Sequence, residues 1–125
     1  MTSFDAAIAA IHNRDPVQLD AAFATAEAAA QFRDEVLHQL EPADCRWFWQ
    51  QTFSPEQFQA VAEAVADVAV SIARKQGLVI GTDFSRSVDE DGLPRILCSE
   101  LTYSRVAAEL PVARRSVLKA LVQVI

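Results

Sequence analysis

Arg114 and Arg115 stand side by side near the end of the chain, followed by Ser116, with Lys119 one helical turn further on. Fixed positive charge at this density can neutralise phosphate, and an arginine fork can donate two parallel hydrogen bonds to a guanine edge. The cations are concentrated in sequence. Residues 95–125 carry five basic and two acidic side chains, whereas residues 1–94 carry six basic and fifteen acidic ones. The net charge of −6 therefore conceals an acidic body and a basic end, which keeps nucleic acid among the candidate partners.

Other chemistries find less support. Glu35 and His38 make one E-x-x-H pair, but a di-iron bundle needs two such pairs and two further glutamates. Residues 87–92 are acidic and end on glycine. A calcium loop needs an acid at its first position and Glu at its twelfth, where this chain has Ser87 and Cys98. Cys45 and Cys98, with His12 and His38, form no C-x-x-C or H-x-x-H pair, so they are expected to be buried or boundary residues. With only 3 glycines, no loop can cradle a phosphate through its backbone. The expectation is a protein without metal, cofactor or catalytic constellation, and not an enzyme.

The elements that must position these residues read mostly as helix. A chain of 125 residues suits one domain, and its 51% hydrophobic content is diluted by 22 alanines. Ser3 is a candidate cap for a short first helix carrying Phe4, Ile8 and Ile11. Asp15-Pro16 opens a long helical stretch expected to run to about Leu40, with Leu19, Phe23, Ala26, Ala30 and Leu37 on one stripe. Pro42 starts a short helix holding Trp47, Phe48 and Trp49. Neighbouring helical side chains diverge by about 100°, so either this helix is buried nearly all round or one tryptophan is an exposed interface anchor.

Ser54-Pro55-Glu56-Gln57 combines an N-cap, proline at N1 and the glutamine of a capping box, so a helix is expected from there to about Gln76, stopped by Gly77. Within it Phe58, Val61, Val65, Val68 and Ile72 are spaced 3-4-3-4, which suits either a core helix or a dimer seam. Glu56, Glu63 and Asp67 run along one side, as a solvated face or a docking face for a basic partner. Residues 78–93 are turn-rich, with Leu78-Val79-Ile80 as a candidate strand. From Pro94 the pattern reads as helix to the end, broken only at Leu110-Pro111.

That last stretch has internal structure. Thr102 is a candidate N-cap, and Val106 and Leu110 face inward from a helix of about eight residues. Pro111-Val112 turns the chain, and a second helix buries Val117, Leu121 and Val124. A short helix, a tight turn with one buried aliphatic and a second amphipathic helix make a helix-turn-helix. The segment Val106–Leu121 resembles the helix-turn-helix of bacterial transcriptional regulators, and its Leu-Pro-Val turn is similar to that of the arsenical-resistance repressor family. The resemblance covers about 20 residues. It implies that Ala107 is the small residue at the helix crossing, that Val112 plugs the turn, and that Arg114, Arg115, Ser116 and Lys119 face DNA. Arg105 and Arg95 are candidates for phosphate contact.

The expected architecture is all-α: five to seven helices in a compact bundle, with room for one short β-hairpin at 78–93. Residues 1–77 would form an acidic helical body and dimerisation region, 78–93 a linker or hairpin, and 94–125 the helix-turn-helix. The expected function is a small homodimeric DNA-binding regulator, since paired half-sites reward two-fold symmetry. The alternative is an acidic protein-interaction module (adaptor, inhibitor or immunity type) that meets a basic partner through the acidic side and the tryptophans. No leader and no membrane span are apparent, so a cytoplasmic location is expected.

Overall fold

The computed structural model describes residues 4–125, so the Ser3 cap lies outside the described residues. Among these, seven α-helices and a small sheet occur: α1 (Asp5–His12), α2 (Pro16–Ala21), α3 (Ala26–Glu35), α4 (Pro42–Thr52), α5 (Pro55–Lys75), β1 (Phe84–Val88), β2 (Pro94–Cys98), α6 (Glu100–Glu109), α7 (Arg115–Leu121) and β3 (Val122–Val124). Two 3-10 turns, Leu37–Gln39 and Val112–Arg114, precede α4 and α7. The protein is mainly α, and the sheet corrects the all-α expectation.

Asp15 caps α2 through Oδ1, which accepts from the amides of Val17 and Gln18. The expected single helix to Leu40 is broken at residues 22–25. There Thr25 turns its hydroxyl to the Ala28 amide and starts α3 afresh. A threonine that satisfies one of the orphan N–H groups of a new helix offers the chain an alternative to continuing the old one. Ser54 and Gln57 form the expected capping box, and α5 ends before Gly77, whose φ of +80° is open to glycine without strain.

The C-terminal third departs most from expectation. Pro94–Cys98 is a strand rather than a helix start: Pro94, Ile96 and Cys98 are buried and alternate with half-exposed Arg95 and Leu97, the period of two of a sheet. It pairs antiparallel with β1, Ser87 opposite Arg95, through a turn built on Asp89. The hairpin was expected within 78–93; it reaches to 98, and of Leu78-Val79-Ile80 only Ile80 makes a bridge, to Phe84. Ser99, not Thr102, caps α6. The last helix stops at Leu121. Val122-Gln123-Val124 then pairs parallel with β2, giving the order β1-β2-β3. Consecutive β-branched residues favour the pleated surface over another helical turn. Val124, expected to be buried in a helix, is 47% exposed.

α7 sits at the centre of the fold. It packs against α4, α5, the 3-10 turn at 37–39 and β2. Beside it an aromatic chain runs from Phe4 through Phe32 and Phe48 to Trp49 and Phe53, with ring centroids 5.2–6.0 Å apart.

Candidate interaction surface

The residues of the expected DNA-reading helix are divided by the fold. Ser116 is fully buried and accepts a hydrogen bond at 3.1 Å from the Trp49 indole N–H. Arg115 turns back on α6: its Nε donates to the Ala107 carbonyl at 2.9 Å and its Nη2 to the Ala108 carbonyl at 3.3 Å. It thereby adds a charged donor to the carbonyls of the last turn of that helix, of which Ala107 also accepts from the Leu110 amide. The Lys119 ammonium lies 5.1 Å from the centre of the Tyr103 ring. Val117, Leu118, Ala120 and Leu121 are buried. Ala107 is buried, Val112 is 43% exposed and does not plug the turn, and Leu110 is 3% exposed. The outward Ser116 is thus corrected: of the seven residues of α7 only Arg115 and Lys119 keep partial exposure.

Two of the expected DNA contacts do face solvent. Arg114 and Arg105 are exposed, and among the described residues neither side chain makes a hydrogen bond or ion pair. Arg74 and Lys75 are equally free at the end of α5. Gln76 ties this end of α5 to α6 through the Arg105 carbonyl and the Glu109 carboxylate. His38 lies in the positive field of Arg115 and Lys119, and burial first, then these two charges, lower its pKa.

The expected seam on α5 is largely the core of the same chain. Phe58, Val65 and Ile72 are buried, Val61 is half-buried, and only Val68, at 47%, is open. The exposed strip is rotated from that seam. At about 100° per residue, Gln57, Ala60, Val61, Ala64, Val68 and Ser71 fall within one arc of roughly 100°. This arc holds no carboxylate. It borders a groove of about 240 Å³ lined by Val61, Ala64, Val65, Val68, Leu110, Pro111 and Arg114.

The surfaces expected for a basic partner are otherwise engaged. Glu63 and Asp67 both accept from the Arg86 guanidinium on β1; of the three expected acids, Glu56 alone stays unpaired. Trp49 is 6% exposed. Trp47 is half-buried under the Arg14 guanidinium, 5.7 Å from its ring centre, and Arg14 also bonds Asp44 at 2.9 Å. Neither tryptophan is an exposed anchor. Arg14 itself has φ of 52°, a left-handed position closing α1, and its side-chain bonds to the Ile11 carbonyl and Asp44 hold it there.

The remaining groups offer little reactivity. Burial pushes the Cys45 thiol up to about 12 and the Cys98 thiol up to about 11, which leaves both as thiols at neutral pH. Among the described residues no three His, Cys, Asp or Glu side chains converge as metal ligands, and no helix is long and apolar enough to cross a membrane. Sequence reasoning missed the Arg86 clamp and the Arg46–Asp89 ion pair at 3.0 Å. Both join residues at least 19 positions apart, and no local spacing announces such pairs. The α5 strip was only partly within reach: one position before the valine seam the 3-4 spacing gives Gln57, Ala60, Ala64, Asp67 and Ser71, and nothing local says that Asp67 is taken up by Arg86. Comparison with known protein families, with curated proteins and with solved structures finds no match.

Proposed function

We propose that this protein is a helical protein-interaction module whose α5 face receives an amphipathic helix bearing aliphatic anchors and carboxylates. One observation carries the reading: α5 leaves an uncharged arc, from Gln57 to Ser71, beside an apolar groove rather than covering it. That arc extends for about 21 Å, the length of a helix of about fourteen residues. Exposed Val68, with Ala64 and Pro111 on the groove, gives aliphatic contact, and unpaired Arg114 on the groove with Lys75 and Arg105 beyond it select for acids on the partner. The partner's charge is thus opposite to the one the acidic composition suggests. A second copy of the chain fits less well. The groove lies at the middle of α5, so a two-fold axis there would bring the two Arg114 side chains together.

The test is a titration of the labelled protein with a designed amidated helix carrying Leu at i, i+3, i+4 and i+7 and Glu on its flanks. Amide shifts should map to residues 60–71 and 110–114. A twin peptide with Lys for Glu should bind at least tenfold more weakly, about 1.4 kcal/mol, and Val68→Glu should abolish binding with the fold unchanged. Equal binding of the two peptides, or shifts elsewhere, would remove the reading. DNA binding is the second reading, favoured by the same unpaired Arg105 and Arg114. Salt-sensitive binding of random duplex that Arg114→Ala weakens would favour it instead.

A further inference from the structure

We propose that the cavity between α4, the hairpin turn and β3 is a binding site for a small aliphatic carboxylate. It is separate from the α5 face and does not depend on it. The cavity measures about 330 Å³, and Arg46 from α4 and Arg95 from β2 both line it. Asp89 is the acid in its wall, and its oxygens are committed. Oδ1 accepts from the amides of Asp91 and Leu93 at 2.8 and 3.0 Å, and Oδ2 accepts from Arg46 Nη2 at 3.0 Å. The aspartate therefore serves its own turn and one side of the Arg46 fork.

The cations are not fully used. Arg46 Nε is buried and has no acceptor. A buried donor left without a partner marks an unmet hydrogen bond in the residue that lines the cavity. Arg95 makes no hydrogen bond or ion pair among the described residues. The wall thus carries two guanidinium groups against one carboxylate, a formal surplus of one positive charge. A monoanion balances it, whereas a phosphate dianion overshoots. The rest of the wall includes Ala120, Leu121 and Val122, so the tail attached to the carboxylate is aliphatic and short. A free short-chain acid and the C-terminus of a peptide ending in a small aliphatic residue share this chemistry.

Arg95→Gln is the informative variant, because Arg95 holds no other group in place, whereas Arg46 also anchors the turn. Butyrate, N-acetyl-Ala-Val with a free carboxylate, its C-terminal amide and inorganic phosphate are titrated separately into the labelled protein. The expected result is saturable movement of the Arg46 and Arg95 Nε–H and Gln123 side-chain resonances with at least one carboxylate and none with the amide. Arg95→Gln should weaken that binding about tenfold without changing thermal stability. Tighter binding of the dipeptide than of butyrate would identify a chain terminus as the source, and the reverse a free acid. Phosphate binding as well as the carboxylates, indifference to Arg95→Gln, or no saturable shift would each overturn the assignment.

Discussion

Ser116→Ala removes one oxygen atom from the centre of the fold, and the structure sets the consequence. Ser116 is 0% exposed and Trp49 is 6% exposed, so the indole N–H has no water to turn to when its acceptor at 3.1 Å is gone. A buried donor left in this way costs about 1–3 kcal/mol. In a domain of this size each kcal/mol lowers the melting temperature by about 3–6 °C. Calorimetry of the single variant should therefore show a drop well outside the scatter of a surface change. Trp49→Phe removes the donor, and in that background Ser116→Ala should cost less, with a coupling of about 0.5–3 kcal/mol in the double-mutant cycle. If Ser116→Ala leaves stability within about 0.5 kcal/mol of wild type and shows no coupling to Trp49, Ser116 is a surface residue and the placement of α7 is wrong.

Other consequences are read from neighbouring residues. Val65→Ala, in the core, should destabilise by about 1.5–3 kcal/mol in urea titrations, while Val68→Ala, 47% exposed on the same helix, should cost under about 1 kcal/mol. Burial tends to raise the Asp89 carboxyl, but the amides of Leu93 and Asp91 and the Arg46 guanidinium outweigh it and hold the group below the usual carboxylate range. The unfolded chain then binds its proton first, so the stability Asp89 supplies is present above a pH of about 4 and is lost as the pH falls further; Asp89→Asn should flatten this part of the pH–stability curve. The pKa of His38 is lowered, so the unfolded state again takes the proton first, and stability should fall on acidification from about pH 6.5. Thermal melts of His38→Gln should lack that step.

What was legible in the sequence was the local chemistry. The capping box at Ser54, the Asp15-Pro16 start and the Gly77 stop each use a contact within a few residues, and each stands where expected. Val117 and Leu121 are also buried, as the pattern puts them. What failed was whatever depended on partners far along the chain. Arg95-Ile96-Leu97-Cys98 is short enough for either period, and pairing with Phe84–Val88 and Val122–Val124 decided for strand. Arg115, Ser116 and Lys119 read as an outward polar strip because serine and cations seldom enter a core unpaired. Trp49 supplies the contact that admits Ser116, while Arg115 and Lys119 stay half-exposed over the α6 carbonyls and Tyr103. The face proposed for a partner was half visible: the spacing on α5 marked Phe58, Val65 and Ile72, which are buried in the chain's own core, and the exposed strip lies beside them.

Whether α5 rather than α7 receives a partner is decided by selecting displayed random peptides on the wild-type protein with Val68→Glu as the counter-selection. The recovered pool should be rich in Asp and Glu, with Leu or Ile at helical spacing, and should lose binding to Arg114→Glu. A pool that is basic, or one that binds the Val68→Glu protein equally well, would contradict it.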